Sequence, residues 1–241
     1  MKKSMVFLAF CLAAFASCAG TGSYRQVYHN TLYSNYMPKN EIQVADSMQY
    51  VGNVDDKVLV STLNDVHTSR SKSQDQWFFV ECEQNANKQL LVKRGLTIIV
   101  QELAPNVKAR FVTDSFTGVE GYLDKGRDVI LGQNYDWIII PTDSPLPEAE
   151  AKALEAKGYV MPKVFMTKYS IRKISGRGVI NFIYFECIDD NRSLYDGDVK
   201  PYNAEQSGWD RDFAAAFAKR AASAMEIREY TGEGLPQTPQ Q

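Results

Sequence analysis

Four acidic or imidazole side chains are the residues of this chain best placed to do chemistry. Asp65 and His67 follow one predicted strand, and Asp114 and Asp143 each follow another. In an open sheet with parallel strands, ligands bind beyond the carboxyl ends of the strands, so we expect these four side chains to line any ligand site. They would bind a polar ligand or, with His67 in hydrogen-bond reach of a carboxylate, support general acid–base hydrolysis.

Metal and serine chemistry have little support in the sequence. His29 and His67 are the only histidines, so a histidine metal site would be short of ligands. Ser170 and Lys173 match the S-x-x-K pattern, but residues three apart in a strand point to opposite faces. We therefore expect no metal, no cofactor and no enzyme activity.

The cysteines leave one structural question open. The chain has four cysteines. Cys11 lies in the amino-terminal leader and Cys18 at its end, so Cys82 and Cys187 are the two thiols of the predicted domain. In an oxidising compartment Cys82 and Cys187 could form a disulfide, or they could be small buried hydrophobic residues. No C-x-x-C pair is present, so redox catalysis is not supported.

The amino terminus has the pattern of a signal peptide. Lys2 and Lys3 precede an apolar run from Met5 to Phe15, which is too short to span a bilayer. The Phe-Ala-Ser-Cys run at 15–18 resembles the bacterial lipobox, although that family prefers Leu at the position of Phe15. The resemblance implies cleavage before Cys18 and attachment of fatty acids to it. The alternative is an ordinary secretory signal that leaves Cys18 unmodified.

Lipidation at Cys18 would place the protein on a membrane. Each buried methylene contributes about 0.8 kcal/mol, so two or three acyl chains hold a protein for long times. In enterobacterial lipoprotein sorting, an Asp directly after the lipidated cysteine favours retention in the inner membrane. This chain has Ala19 at that position, so the resemblance implies the periplasmic face of the outer membrane. Without residues 1–17, 27 Lys and Arg become 25 against 29 Asp and Glu, a net charge of −4, which gives no reason to expect nucleic acid.

Composition and local patterns predict four segments. They are a signal peptide at 1–17, a lipidated polar tether at 18–52, one α/β domain at 53–229 and a disordered tail at 230–241. The tether is rich in tyrosine, which could dock a partner or glycan or rest on the chain's own domain.

The amino-terminal half of the domain predicts a β-α-β-α-β order with a mixed sheet, which is an α/β fold with α+β as the alternative. Trp137 to Ile140 is apolar without alternation, as expected of a strand that is covered on both faces. The predicted elements, in order, are a strand at 57–63, a helix at 84–103, a strand at 107–113, a helix from Thr117 to Gly132 and a strand at 136–140.

The second of these elements is ambiguous. Leu96, Ile99 and Leu103 follow helical spacing. Gly95 and the β-branched run at 97–100 would suit a strand equally well, with a helix ending near Arg94. Whether residues 96–103 form a helix or a strand therefore stays open.

The carboxyl-terminal half predicts a short helix at 148–157, a long hairpin with strands at 163–174 and 179–188, and a last helix. Pro147 opens the first helix and Gly158 ends it, and Ser207 caps the last one. A Ser-Gly-Arg-Gly turn joins the hairpin strands.

The strand and capped helix at 107–142, followed by residues 180–196, resemble a family of uncharacterised bacterial lipoproteins with an α/β domain. They are more distantly similar to the amino-terminal domain of TolB and the curli-secretion lipoprotein CsgG. The resemblance implies an accessory domain attached to the cell envelope and carries no catalytic residues.

These patterns support one function over two alternatives. The favoured function is a lipid-anchored periplasmic protein that binds or scaffolds an envelope protein or glycan. The alternatives are a subunit of an envelope secretion or transport assembly, and an envelope hydrolase that uses Asp114 or Asp143 with His67.

Overall fold

A computed structural model describes residues 24–60, 70–84, 87–103, 116, 118–142, 146, 148–161, 164–174, 178–188 and 211–236. Within these ranges the chain forms twelve strands and two helices. In chain order they are β1 (Arg25–Tyr28), β2 (Thr31–Ser34), β3 (Asn40–Val44), β4 (Gln49–Val60), β5 (Arg70–Gln84), β6 (Leu90–Leu103), β7 (Asp124–Ile130), β8 (Gln133–Thr142), α1 (Glu148–Ala156), β9 (Tyr159–Val160), β10 (Phe165–Ile174), β11 (Gly178–Cys187), α2 (Arg211–Ser223) and β12 (Met225–Glu229).

The larger sheet is antiparallel, with strand order β4-β5-β6-β11-β10-β8-β7. The short strand β9 pairs in parallel with the start of β6. The predicted α/β fold with β-α-β-α-β order is therefore wrong: consecutive strands pair directly as hairpins, without helical crossovers between them.

A smaller antiparallel sheet has the order β1-β2-β3-β12. The tether predicted at 18–52 is wrong from residue 25 onward, because this segment supplies three of the four strands. Its strands alternate, with Leu32, Ile42 and Val44 buried and Tyr33, Glu41 and Gln43 on the other face. The high polar content belongs to the outer face of a sheet.

One apolar core joins the two sheets and α2. It contains Leu32 and Ile42 from the small sheet, Phe182 from the centre of the large sheet, and Phe217 and Ala221 from α2. An antiparallel sheet must bury its apolar face against another element. Here the small sheet and α2 cover the face of the large sheet.

The opposite face of the large sheet is covered at one end by α1. Leu146 and Leu154 pack there against Phe78, Phe165 and Phe185. The central strands β6 and β11 are thus buried on both faces, with Ile98 and Ile99 both inaccessible although they point in opposite directions.

Burial on both faces explains why the helix predicted at 84–103 is wrong. A strand that is apolar on both sides offers apolar residues at every spacing, including that of a helix. The alternative prediction of a strand at 97–100 is confirmed, but its helix ending near Arg94 is wrong, because β6 runs as a strand from Leu90 to Leu103.

The helix predicted from Thr117 to Gly132 is also wrong. Residues 124–130 form β7 and continue through Leu131 and Gly132, both with positive φ, into β8. Gly126 lies under the ring of Trp137 on the neighbouring strand, and a Cβ at this position would lie 2.6 Å from that ring. The glycine is thus needed for close packing across a β-ladder.

Four other predictions are confirmed. A strand includes 136–140, a helix occupies Glu148–Ala156 before a left-handed Gly158, and β10 and β11 form the long hairpin. The last helix is present with Phe217 and Ala221 buried. The strand predicted at 57–63 begins earlier, at Gln49. The predicted strand at 107–113, the capping residues Thr117 and Ser207, and the end of the tail lie outside the described residues.

Arg25 links the two sheets through a buried guanidinium. Its side chain is only 6% exposed and contacts Asp75 at 3.0 Å, the Glu102 carboxylate, and the carbonyl of Met37. Because Asp75 and Glu102 lie on the large sheet and Arg25 on the small one, these ion pairs cross the interface. They fix one end of the small sheet against one end of the large sheet.

We expect Arg25→Ala to lower the free energy of unfolding by about 2 to 4 kcal/mol, since it leaves two half-buried carboxylates without their cation. Urea denaturation measures the loss. Arg228→Ala removes an arginine from the exposed face of the same sheet and should change the free energy of unfolding much less, because its ion pairs are solvent-exposed. Equal losses in the two variants would contradict a special role for Arg25.

Gly95 lies under the ring of Phe185 on the neighbouring strand. A Cβ at this position would overlap the ring and would lie 2.9 Å from the carbonyl oxygen of Phe79. We therefore expect Gly95→Ala to lower the free energy of unfolding by about 1 to 3 kcal/mol. Gly234→Ala, at an exposed glycine without positive φ and with nothing within 4 Å of the added carbon, controls for the removal of a surface glycine. A Gly95→Ala protein as stable as the control would refute the close packing.

Candidate functional site

An open pocket of about 590 Å³ lies at the end of the small sheet opposite residue 24. Its volume is within the range of small-molecule sites. The turn after β1, the loop after β3 and the start of β4 form its walls. The lining residues are Val27, His29, Asn30, Asp46, Met48, Gln49 and Tyr50.

The turn between β1 and β2 builds one wall. His29 and Asn30 have φ of 44° and 60°, the paired left-handed conformation of a tight hairpin turn, which Asn tolerates well. The Asn30 side-chain amide donates to the carbonyls of Val44, Ala45 and Met48 at 3.2, 3.1 and 2.8 Å. Asn30 therefore holds the loop after β3 against the hairpin and fixes the shape of the pocket.

Tyr50 supplies an aromatic wall. It pairs with Phe79 in the ladder, and the next paired residue is Gly52, so Val51 is an extra residue in a β-bulge. The Tyr50 ring lies 5.3 Å from that of Phe79 and remains 37% exposed. Burial raises the pKa of Tyr50 above its ordinary value. At neutral pH the phenol is consequently a hydrogen-bond donor and acceptor.

The remaining walls combine polar groups with an apolar floor. His29, Asp46 and Gln49 are exposed, whereas Met48 is buried beneath them. An imidazole, a carboxylate and an amide can together donate and accept hydrogen bonds. The pocket is thus equipped to bind a polar ligand that also has an apolar face.

A row of charges borders the pocket on the large sheet. Arg94 bonds Glu81 at 2.7 and 2.8 Å and donates to the hydroxyl of Ser47, in the pocket loop, at 3.2 Å. Arg220 of α2 contacts both oxygens of Glu186, the neighbour of Arg94 on β11. These pairs connect the pocket loop to the large sheet and the large sheet to α2.

Tyr184 lies within this row. Its hydroxyl donates to Glu186, and burial together with that carboxylate raises the pKa of Tyr184 well above its ordinary value. The nearby Arg94 acts in the opposite direction but does not outweigh them. The neutral phenol is therefore the form that the fold stabilises.

A second polar cluster lies among β7, β8 and β10 around the buried side chain of Lys168. Lys168 is 6% exposed, donates to Asp128 at 2.9 Å and lies 4.8 Å from the centre of the Trp137 ring. The Trp137 indole donates to the other oxygen of Asp128 at 3.0 Å. The carboxylate of Asp128 and the aromatic face of Trp137 both stabilise the buried ammonium group of Lys168. These two contacts explain how the fold can bury a lysine at this position.

The structure brings the two predicted disulfide partners near each other without joining them. Cys82 and Cys187 are both half-buried and form no disulfide. Strand β6 lies between their strands, which puts their Cα atoms on the order of 9 to 10 Å apart. That exceeds the roughly 7 Å a disulfide allows.

The other predicted site residues cannot be placed together. Cys18, Asp65, His67, Asp114 and Asp143 lie outside the described residues. The pocket residues could have been found from a His-Asn turn between two alternating segments, a signal that the tether interpretation obscured. In β10, Ser170 and Lys173 lie on opposite faces of the strand, as predicted.

Comparisons with known proteins add no relative. The chain matches no family model, no curated protein and no solved structure. Among the described residues, no group of three or more His, Cys, Asp and Glu side chains is arranged to hold a metal ion. The helices of the described part are too short or too polar to cross a membrane.

The titration of Tyr184 predicts a loss of stability in alkali. Below pH 10.0, the ordinary pKa of a tyrosine, both folded and unfolded chains keep the proton. Above it the unfolded chain loses the proton first, so the free energy of unfolding falls as pH rises. We expect this fall to be shallower in Tyr184→Phe, as measured by urea denaturation from about pH 8 to about pH 11. Parallel curves for wild type and variant would contradict the predicted pKa.

Proposed function

We propose that this chain is a lipid-anchored protein of the cell envelope whose domain binds a glycan in the pocket at His29, Asp46, Gln49 and Tyr50. The anchor is supported by the leader and by the small-residue step before Cys18. The pocket chemistry supports the ligand class. Binding, rather than catalysis, is the role that these groups favour.

The position of the pocket is the observation that carries the proposal. Tyr24 begins the described fold six residues after Cys18, and His29 lies one strand further along. Five residues of strand span about 16 Å. With the anchor at the Tyr24 end, the pocket at the His29 end opens away from the membrane, where an extended envelope polymer can enter it.

The groups in the pocket match those of a sugar. A pyranose ring has an apolar C–H face, which can stack on the exposed ring of Tyr50, and hydroxyls that both donate and accept hydrogen bonds. Gln49 and His29 supply both kinds of partner, and Asp46 accepts. The open shape suits one segment of a longer chain better than an enclosed small molecule.

Co-sedimentation of the purified, acylated protein in detergent with insoluble peptidoglycan sacculi tests the proposal. We expect wild type to sediment and Tyr50→Ala to bind about tenfold more weakly, a loss of about 1.4 kcal/mol, because the stacking face is removed. Gln49→Ala should weaken binding less, since it removes hydrogen bonds that water partly replaces.

Leu90→Ser is the matched control, since Leu90 is similarly exposed but lies outside the pocket. It should sediment like wild type. Thermal unfolding of each variant shows whether the fold is retained. Absence of wild-type binding, or undiminished binding by a folded Tyr50→Ala, would refute the glycan site and would favour a protein ligand.

A further inference from the structure

Half of the exposed large apolar side chains of the described residues lie where the chain enters the fold. Eight large hydrophobic residues are exposed within the described ranges. Four of them lie at the end that contains Tyr24, namely Tyr24, Tyr36, Val129 and Leu131. The other four are Tyr50, Leu90, Val119 and Tyr122.

Tyr24 and Tyr36 form one exposed pair. Their ring centroids are 5.0 Å apart, and the backbone amide of Asn35 donates to the carbonyl of Tyr24 at 3.0 Å. The β2–β3 loop is therefore held next to the entry point of the chain. Lys39, at the end of this loop, is also exposed. An aromatic pair beside an ammonium group is a combination suited to a lipid headgroup region.

Val129 and Leu131 form the other part of this surface, at the tip of the β7–β8 hairpin. Val129 is 68% exposed and Leu131 is 53% exposed. Leu131 also has φ of 51°, a left-handed conformation that disfavours a leucine and favours Asn or Gly. About half of this strained leucine stays in solvent, so burial within the fold does little to offset the strain.

The ladder pairings place the tip and the tyrosine pair at the same end of the molecule. Glu102, which contacts Arg25, pairs with Gly178, and Gly178 pairs with Ile174. β8 runs antiparallel to β10 from Gln133, the residue that pairs with Ile130 directly before the tip. The hairpin tip and the Arg25 link thus share one transverse level of the large sheet.

The short connection to Cys18 determines what can cover this end. Tyr24 is the sixth residue after Cys18, and six extended residues reach at most about 20 Å. A lipidated Cys18 would therefore keep this end of the domain within that distance of the bilayer surface. We propose that the surface made by Tyr24, Tyr36, Val129 and Leu131 docks on the membrane that holds the anchor.

This inference rests on the proposed anchor and adds an orientation to it. The docked domain cannot rotate freely on its short connection. Its pocket is held away from the lipid, because His29 and Tyr24 lie at opposite ends of β1. Tyrosine rings, with an apolar body and a polar hydroxyl, and a hairpin tip that presents two aliphatic side chains are suited to the boundary between headgroups and acyl chains.

Fluorescence quenching by lipids tests the orientation. The acylated full-length protein carries Cys82→Ala and Cys187→Ala, and Leu131→Cys is labelled with an environment-sensitive maleimide. Cys18 does not react once its sulfur bears lipid. The protein is reconstituted into vesicles of phosphatidylethanolamine and phosphatidylglycerol that contain a nitroxide lipid. We expect loss of fluorescence at position 131 and no loss for the matched control Leu90→Cys.

Each result separates this inference from the anchor itself. A protein that floats with the vesicles but shows equal quenching at positions 131 and 90 keeps the anchor and overturns the docking. A protein that does not float overturns both. Amide hydrogen exchange of the wild type gives a second readout, with slower exchange at residues 35–39 and 129–133 on vesicles than in detergent if the domain docks, and unchanged exchange if it does not.

Discussion

The burial of one face of the large sheet is the constraint on which the rest of the structure depends. Strands β6, β11 and β10 present an apolar surface, and exposure of that surface to water would be unfavourable. The small sheet and α2 cover this surface and exclude water from it. Each later feature follows from this packing. The inner face of the small sheet must be apolar, so its polar residues are confined to the outer face and to the two ends. The pocket and the exposed tyrosine pair lie at these two ends.

The ion pairs around this core determine how the layers are aligned. Arg25 fixes one end of the small sheet to the large sheet, while Arg94 and Ser47 connect the two at the other end. Arg220 and Glu186 hold α2 over the same face. Burial of apolar area has no preferred direction, whereas a guanidinium between two carboxylates does. These contacts therefore fix the orientation of the pocket relative to the beginning of the chain.

Local sequence signals predicted those elements whose ends are marked by local chemistry. Gly158 follows the end of α1, and β10 and β11 pair as the predicted long hairpin. The wrong predictions have separate causes. Strand β6 is apolar on both faces because two different layers cover it, and the sequence of the strand alone does not show that a second layer is present. The sequence does not predict the β7–β8 hairpin because its left-handed turn position holds Leu131, whereas Asn or Gly is the usual residue at such a position. The pairing of β12 with β3 could not be predicted locally, because the two strands are about 180 residues apart in the sequence.

The candidate site was less predictable than the fold. The prediction of a ligand site at Asp65, His67, Asp114 and Asp143 depends on the geometry of a parallel sheet, and the antiparallel strand order removes that basis. The pocket instead depends on Asn30 bridging three carbonyls and on a bulge that sets Tyr50, and neither is visible without the pairing of strands. Among the described residues, His29, which lies in the segment predicted as a tether, lines the pocket.

The attachment of lipid is the central claim, because the orientation of the pocket and of the exposed tyrosines is interpreted relative to it. Mass spectrometry of the intact protein purified from membranes measures it directly. The account predicts a chain that begins at Cys18 and carries the added mass of two or three fatty acyl chains. A chain that retains its leader, or a mature chain with an unmodified Cys18 thiol, would contradict the account.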